Sequence, residues 1–365
     1  LTESNPTRAQ ILDLAPFIAE LGHPRGAAYE PAATGHAVAK HAVSAYYTGR
    51  GARVDPNRVV ISASTSEAYS WIFSLLCDPD DAILVPRPSY PLFGWIAASQ
   101  RVRLVGYQLS REAGFRIDFD SMRRVVDRQT RAIVLVHPNN PTGSFVRREE
   151  AAALARLARK HDLALIVDEV FGDYPLGARA PDMLGSFTEL GSDDGPLTFV
   201  LSGLSKVMLL PQAKLGWTAI SGAAPLVTEA VARLELIADT FLSVSTPVQL
   251  ALPRLLEQAP AVHRVMRGRI EANLAALDAA IVARGPHVPV RRLAVMGGWY
   301  ATLEVPRIHD EDGWIELLIR EEGVVVHPGY FFDFDRDGFL VVSLLPEPET
   351  FREGARRLVA RLSSG

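Results

Sequence analysis

Cysteine is almost missing from this sequence: Cys77 is the only one in 365 residues. No internal disulfide can form, and a reducing cytoplasm is the expected setting. Cys77 ends an apolar helix pattern and reads as a core thiol, not a nucleophile. Long apolar runs are missing as well. None approaches the ~18–20 residues that a membrane-spanning helix needs, and no secretory signal pattern opens the chain. Neither sign of charge dominates: 38 Lys and Arg against 42 Asp and Glu leave a formal net charge of −4. That balance excludes a protein built mainly to neutralise nucleic-acid phosphates. No Gly-x-Gly-x-x-Gly follows the first strand pattern, which sets aside a nicotinamide dehydrogenase. His36 and His41 are spaced wrongly for one helix face and the other histidines are scattered, so no metal centre is expected. Repeats and low-complexity tracts are missing too.

What the chain has is apolar material, 48% of its residues, enough for a large core. Short continuous apolar runs alternate with amphipathic ones. RVVIS, DAILVP, RVRLVGYQL, AIVLVHP, LALIVDEV, TFVLSGLS and LGWTAIS read as strands. SEAYSWIFSLL, PLFGWIAASQ, FDSMRRVVDRQ, REEAAALARLARKHD and PLVTEAVARLELIADTF read as helices. Strands without polar alternation, separated by helices, predict an α/β fold with a mostly parallel sheet covered on both faces. After about Pro260 the texture changes to a long helical pattern, then GGWYATLEV, a helix around Trp314 to Glu322, VVVHP, FLVVSLL and a last helix. This predicts a smaller α+β unit.

Ligands of open α/β sheets bind beyond the carboxyl ends of the strands. Four motifs stand there. Ser64-Thr65-Ser66 follows RVVIS at a helix start, where N–H groups and the helix dipole favour an anion; an ordinary N-cap has the same composition. Asn139-Asn140-Pro141-Thr142-Gly143 follows AIVLVHP and also reads as a turn. Asp168 ends LALIV, where a carboxylate is costly without a partner. Lys206 follows TFVLSGLS among Leu201, Leu204, Val207 and Met208, surroundings that disfavour simple exposure. A lysine with a pKa lowered by desolvation can form a Schiff base. A carboxylate keeps a pyridine nitrogen protonated, and a nest of donors plus a cation holds a phosphate. Together these meet the demands of pyridoxal 5′-phosphate.

With these residues in hand, the sequence resembles the aspartate-aminotransferase superfamily of pyridoxal-phosphate enzymes (fold type I, class I/II aminotransferases). HPNNPTG, VDEVF, SGLSK and LPQAKLGW carry the resemblance, which covers nearly the whole chain. It implies a seven-stranded, mostly parallel sheet in a large cofactor domain at 29–258, with a small domain from 1–28 and 259–365 closing over the site. It implies that Lys206 is the Schiff-base lysine and proton carrier, that Asp168 pairs with the ring nitrogen and that Asn140 donates to the ring oxygen. Tyr90 matches the aromatic on the ring face; Ser64, Thr65 and Ser66 match the phosphate cup. Tyr29 matches a tyrosine that reaches the neighbouring subunit's phosphate, which implies a homodimer. Gly297-Gly298-Trp299-Tyr300 and Asn5-Pro6 match segments that close over substrate. The implied reaction moves an amino group from a donor to a keto acceptor. A pyridoxal-phosphate lyase or decarboxylase is the alternative, because one electron sink serves all of these. A non-catalytic ligand-sensing domain is disfavoured, since every core chemical residue is kept.

Four positions depart from the family pattern. Phe171 stands where a tyrosine usually bonds the ring oxygen, so the lysine–cofactor linkage is expected to hold its proton to higher pH. Tyr174 is spaced wrongly for a direct swap. Gly203 replaces a serine, which leaves Ser202 or Ser205 for the phosphate. Lys214 replaces a phosphate-binding arginine, keeping the charge without the fork. Val341 stands where an arginine usually clamps the substrate carboxylate. Arg336 just upstream is read as solvated, and the apolar residues Trp299, Val341 and Phe331 point to a less acidic substrate side chain.

Overall fold

The computed structural model describes residues 1–178, 180–190 and 194–364. Eight strands form the large sheet: β1 Val59–Ser62, β2 Ala82–Arg87, β3 Arg103–Ser110, β4 Arg116–Ile117, β5 Thr130–Val136, β6 Ala164–Asp168, β7 Thr198–Gly203 and β8 Gly216–Ser221. Their order is β1-β8-β7-β6-β5-β2-β3-β4. The seven expected strands are all present; the eighth, β4, is a two-residue addition paired with the end of β3. From β7 across to β3 the pairing is parallel, and β8 is antiparallel to both β7 and β1.

This topology decides where the chemistry lies. Because β8 reverses between them, β1 and β7 run the same way, and so do β5 and β6. The carboxyl ends of all four therefore share one edge of the sheet, and so does the start of β8, just after Lys214. Both faces are dry. Ile133, Leu135, Leu165, Val167 and Val200 point to one hydrophobic cluster, while their alternate neighbours Ala132, Val134, Ile166, Phe199 and Leu201 point to the other. Two-sided burial is why these strands read as unbroken apolar runs.

A second, antiparallel sheet contains β9 Arg291–Arg292, β10 Tyr300–Glu304, β11 His327–Pro328 and β12 Phe339–Ser343, in the order β11-β12-β10-β9. One helix, Thr246–Val282, runs 37 residues past both Pro253 and Pro260. The sequence reading began this helix only after Pro260; the two prolines look like breakers, yet a continuous buried stripe from Val248 to Leu277 holds the helix together. Several contacts tie the small sheet to the large one, among them Ser89 N to Phe332 O (2.8 Å) and the Arg111–Glu304 pair. Met296 N donates to Gly143 O (3.2 Å) and Gly298 N to Tyr174 O (2.9 Å). Gly143 has φ +69, and a Cβ there would lie 2.5 Å from Gly297 O, so only glycine allows this approach. Among the described residues, no helix is long and apolar enough to cross a membrane.

Candidate active site

A cavity of about 320 Å³ opens at the shared strand edge. Lys206, Asp168, Asn140, Tyr90, Phe171, Ser205, Lys214 and the triplet Ser64, Thr65, Ser66 all line it. Residues more than 140 positions apart in sequence thus face one space.

Lys206 stands on the short Leu204–Val207 helix that continues β7. Burial pushes its ammonium below the ordinary lysine value, and Asp168 opposes that shift. The Nζ lies 5.1 Å from the Trp299 ring centroid and 5.8 Å from that of Phe171. Asp168 is raised to about 6, chiefly by burial. Its carboxylate accepts from Val170 N (3.0 Å) and from the Tyr69 hydroxyl (3.3 Å). A desolvated amine and a buried acid thus line one cavity.

The two asparagines of the turn are in different states. Asn139 is held by Pro88 O (3.1 Å) and Thr142 Oγ1 (2.9 Å). Asn140 is equally buried, yet its side-chain oxygen has no partner among the described residues. A buried amide without a partner is costly and marks a place for a ligand.

Also lining the cavity, Ser64 caps the Thr65–Leu76 helix, accepting from Glu67 N (3.1 Å), while Glu67 accepts from Ala63 N (2.6 Å). Ser64 is the N-cap of this helix, so it serves the helix whether or not it also serves a ligand. Among the described residues, the hydroxyls of Thr65, Ser66 and Ser205 and the ammonium of Lys214 have no hydrogen-bond or ion-pair partner. Lys214 is in the left-handed region (φ 53). Gly203 has a steric reason to lack the expected serine: a Cβ there would lie 2.9 Å from Gly216 Cα. Of its two proposed substitutes, Ser205 lines the cavity, whereas Ser202 does not and its buried hydroxyl is unpartnered.

Other expectations change. Tyr174 does not stand in for the missing phenol at Phe171, since it donates to the Lys206 carbonyl (2.5 Å). Phe171 packs edge-on against Trp299, centroids 4.9 Å apart. Trp299 and Val341 are 1% and 0% exposed, and Phe331 is 53% exposed; none of the three lines the cavity. Arg336 is not simply solvated: it donates to Glu304 (2.7 Å) and lies over the Phe339 ring. Tyr29 is 77% exposed and does not reach this chain's own cavity. Asn5 is used locally, accepting from Thr7; its neighbour Ser4 is the residue that lines the cavity. Sequence reasoning missed Ser4 and Tyr69. Cys77 is raised to about 12 by burial, which keeps it a thiol.

A profile of the aminotransferase class I and II family matches residues 5–358. The chain belongs to that family. Class I and II aminotransferases use pyridoxal 5′-phosphate, and the residues present fit it: a desolvated amine, a buried acid, an amide with an unpartnered oxygen, unpartnered hydroxyls and a second ammonium all line one cavity. Nicotianamine aminotransferase 1 of Oryza sativa subsp. japonica is 29% identical over 82% of this chain and 61% of its own length. Tyrosine aminotransferase of Dictyostelium discoideum is 24% identical over 83% of this chain and 73% of its own. The chain spans only 55–66% of the length of the three nicotianamine aminotransferases it matches. An alanine aminotransferase from Pyrococcus furiosus shares the fold with a TM-score of 0.85, at 20% identity, over 100% of this chain and 88% of its own. A Thermus thermophilus aspartate aminotransferase mutant gives 0.84 at 23% identity, over 99% and 90%.

Proposed function

We propose that this protein is a pyridoxal-phosphate-dependent aminotransferase that moves an amino group from a donor to a keto acceptor. The observation that carries the reading is Lys206: a buried amine, held below its ordinary pKa, beside a buried acid in a cavity where Asn140 Oδ1, Thr65, Ser66, Ser205 and Lys214 lack partners among the described residues. Pyridoxal 5′-phosphate, when bound, supplies an aldehyde that condenses with amines and a ring that takes up the electron pair of a broken bond. Lys206 would hold the aldehyde, Asp168 the ring nitrogen, Asn140 the ring oxygen and Tyr90 a ring face. Thr65, Ser66, Ser205 and Lys214 would hold the phosphate, with Ser64 fixing the helix end.

The residues divide the work. The Lys206 amine is unprotonated over more of the pH range than a surface lysine, so it can act as a nucleophile and, once displaced by substrate, accept the proton of the substrate carbon. It then returns that proton at a different atom. Asp168, ionised above pH 6, keeps a positive charge opposite it. The apolar wall of Phe171, Leu92 and Val136 keeps water from the amine.

Residues 29–258 form the cofactor domain in this reading, and 1–28 with 259–365 the part that closes over it. The exposed Tyr29 serves the phosphate cup of a second copy, so a homodimer is the working form; light scattering in solution tests this.

Borohydride reduction of protein loaded with pyridoxal 5′-phosphate, followed by peptide mapping, tests the reading. The adduct is expected on Lys206, and Lys206→Ala should lose both the adduct and about a thousandfold or more in turnover. A reduced adduct elsewhere, or none, removes the proposal. Conversion of the cofactor to its aminated form by a donor alone supports transfer; release of ammonia and a keto product with no acceptor present would assign a lyase instead.

A further inference from the structure

The cavity is lined by three formally charged groups, and the aminotransferase reading employs all three. That reading gives Lys206 and Asp168 to the aldehyde and the ring nitrogen, and Lys214 to the phosphate. The rest of the wall, among the described residues, is neutral: Ser4, Tyr90, Leu92, Phe171, Pro211 and Tyr300 are its main surfaces. The arginine nearest to it in sequence expectation, Arg336, is committed to Glu304, which Arg111 and Arg291 also hold. Arg87 faces Asp333 at 3.7 Å. Val341 is sealed in β12 between His327 and Thr302. The two phenols stay un-ionised: burial raises Tyr300, and burial together with Tyr300 and Asp168 raises Tyr90. Tyr300 is close enough to Ser4 and the Trp299 indole for both to favour its ionised form, although the indole N–H reaches no hydrogen-bond partner.

A carboxylate brought against this wall loses its water and gains no cation from this chain. An amide or an apolar group loses much less, and neutral donors such as Ser4 and Tyr300 suit an uncharged oxygen. We infer that the amino donor of this site carries no ionised carboxylate on its reacting carbon: it is a primary amine bearing an uncharged apolar, aromatic or amide group that lies against Tyr90 and Tyr300. This rests on the aminotransferase reading. The exchange balances without an oxidant. The donor R₂CH–NH₂ leaves as R₂C=O, and the acceptor R′₂C=O leaves as R′₂CH–NH₂. The carbon–hydrogen proton of the donor is handled by Lys206.

The test uses the protein as it assembles in solution, loaded with pyridoxal 5′-phosphate. Borohydride labelling of Lys206 checks the underlying reading first; if no adduct forms, that reading fails and not this inference. Titration calorimetry then compares two unreactive pairs, 3-phenylpropanoate with 3-phenylpropanamide and 4-methylpentanoate with 4-methylpentanamide. Each amide is expected to bind about tenfold more tightly than its acid. Tyr300→Phe should weaken the amides about three- to tenfold. An acid that binds as tightly as its amide, or more tightly, overturns the inference. Amide affinities unchanged in Tyr300→Phe overturn the role of that phenol.

Discussion

Asp168 and Glu169 are neighbours at the end of β6, and they belong to two different regions. Both are buried, and burial raises both, to about 6 and about 7 respectively. On the Glu169 side every group found a protein partner. Glu169 accepts from Ser186 Oγ and Phe187 N, each at 2.6 Å. Asp173 next to it accepts from Arg50 and from Tyr46 (2.7 Å), and His263 lies 3.6 Å from the same carboxylate while bonding Val207 O at 2.8 Å. With Tyr174 on the Lys206 carbonyl, this region grips the backbone of the lysine turn from behind. On the Asp168 side, capacity is left over: Asn140 Oδ1 and the side chains of Thr65, Ser66, Ser205 and Lys214 line a cavity without partners among the described residues. A buried acid in a sequence does not mark a site. Unfilled hydrogen-bonding capacity around it does.

The largest effects should come from replacing the two acids separately. Asp168→Asn keeps the shape and removes the charge, and turnover should fall about 10²- to 10³-fold while the fold survives. Glu169→Gln should instead cost about 1–3 kcal/mol in denaturant unfolding and leave turnover within a few-fold. Equal losses of turnover would break the comparison. The pH dependence separates the two again in cofactor-free protein. Each acid has a folded pKa above its unfolded value, 3.8 rising to about 6 and 4.5 rising to about 7. The folded state therefore binds more protons, and stability falls as pH rises through each window. Asp168→Asn should flatten the fall between about 4 and 6, and Glu169→Gln the part reaching 7. Cofactor affinity should move the other way, weakening below pH 6 as Asp168 takes up its proton.

The division between regions was only half legible in the sequence. The strands were, because burial on both faces of a parallel sheet demands continuous apolar runs such as AIVLV. The strand-end motifs were, because topology sends β1, β5, β6 and β7 to one edge. Tyr69 and Ser4 were not: Ser4 lines the cavity and Tyr69 holds Asp168, each from an element whose local pattern says only coil or helix. Trp299 and Val341 were misjudged because alternation in a strand shows which residues share a face, not which cavity that face meets. The role of Tyr174 as an anchor behind Lys206 had no sequence signal beyond a spacing that ruled out something else.

Cations on the two sides give a middle-sized effect. Lys214 has no partner among the described residues, so Lys214→Met should leave unfolding unchanged and weaken pyridoxal-phosphate binding about ten- to a hundredfold, measured by absorbance titration. Arg50 is paired with Asp173 and Tyr46. Arg50→Met should destabilise the fold by about 3 kcal/mol and leave cofactor affinity within a few-fold. If Lys214→Met proves as destabilising as Arg50→Met, its ammonium has a structural partner and the cup is not an open anion site.

The smallest effect concerns Phe171, a wall residue whose chemistry departs from the resemblance. Phe171 is 5% exposed, its ring edge-on to Trp299 and 5.8 Å from the Lys206 amine. It can exclude water but cannot donate. Phe171→Tyr adds a donor on the cavity side at little cost in volume. A hydrogen bond to the oxygen that Asn140 is expected to hold would favour the form of the lysine–cofactor linkage that has lost its proton, and the absorbance titration of the loaded protein should move down by about one pH unit. Tyr174→Phe removes a phenol from the far side instead. It should cost about 1 kcal/mol of stability, from the lost bond to the Lys206 carbonyl, and leave that titration in place. A titration that moves with Tyr174 and not with Phe171 would put the proton-sensing oxygen behind the lysine turn, and the two regions would have to exchange roles.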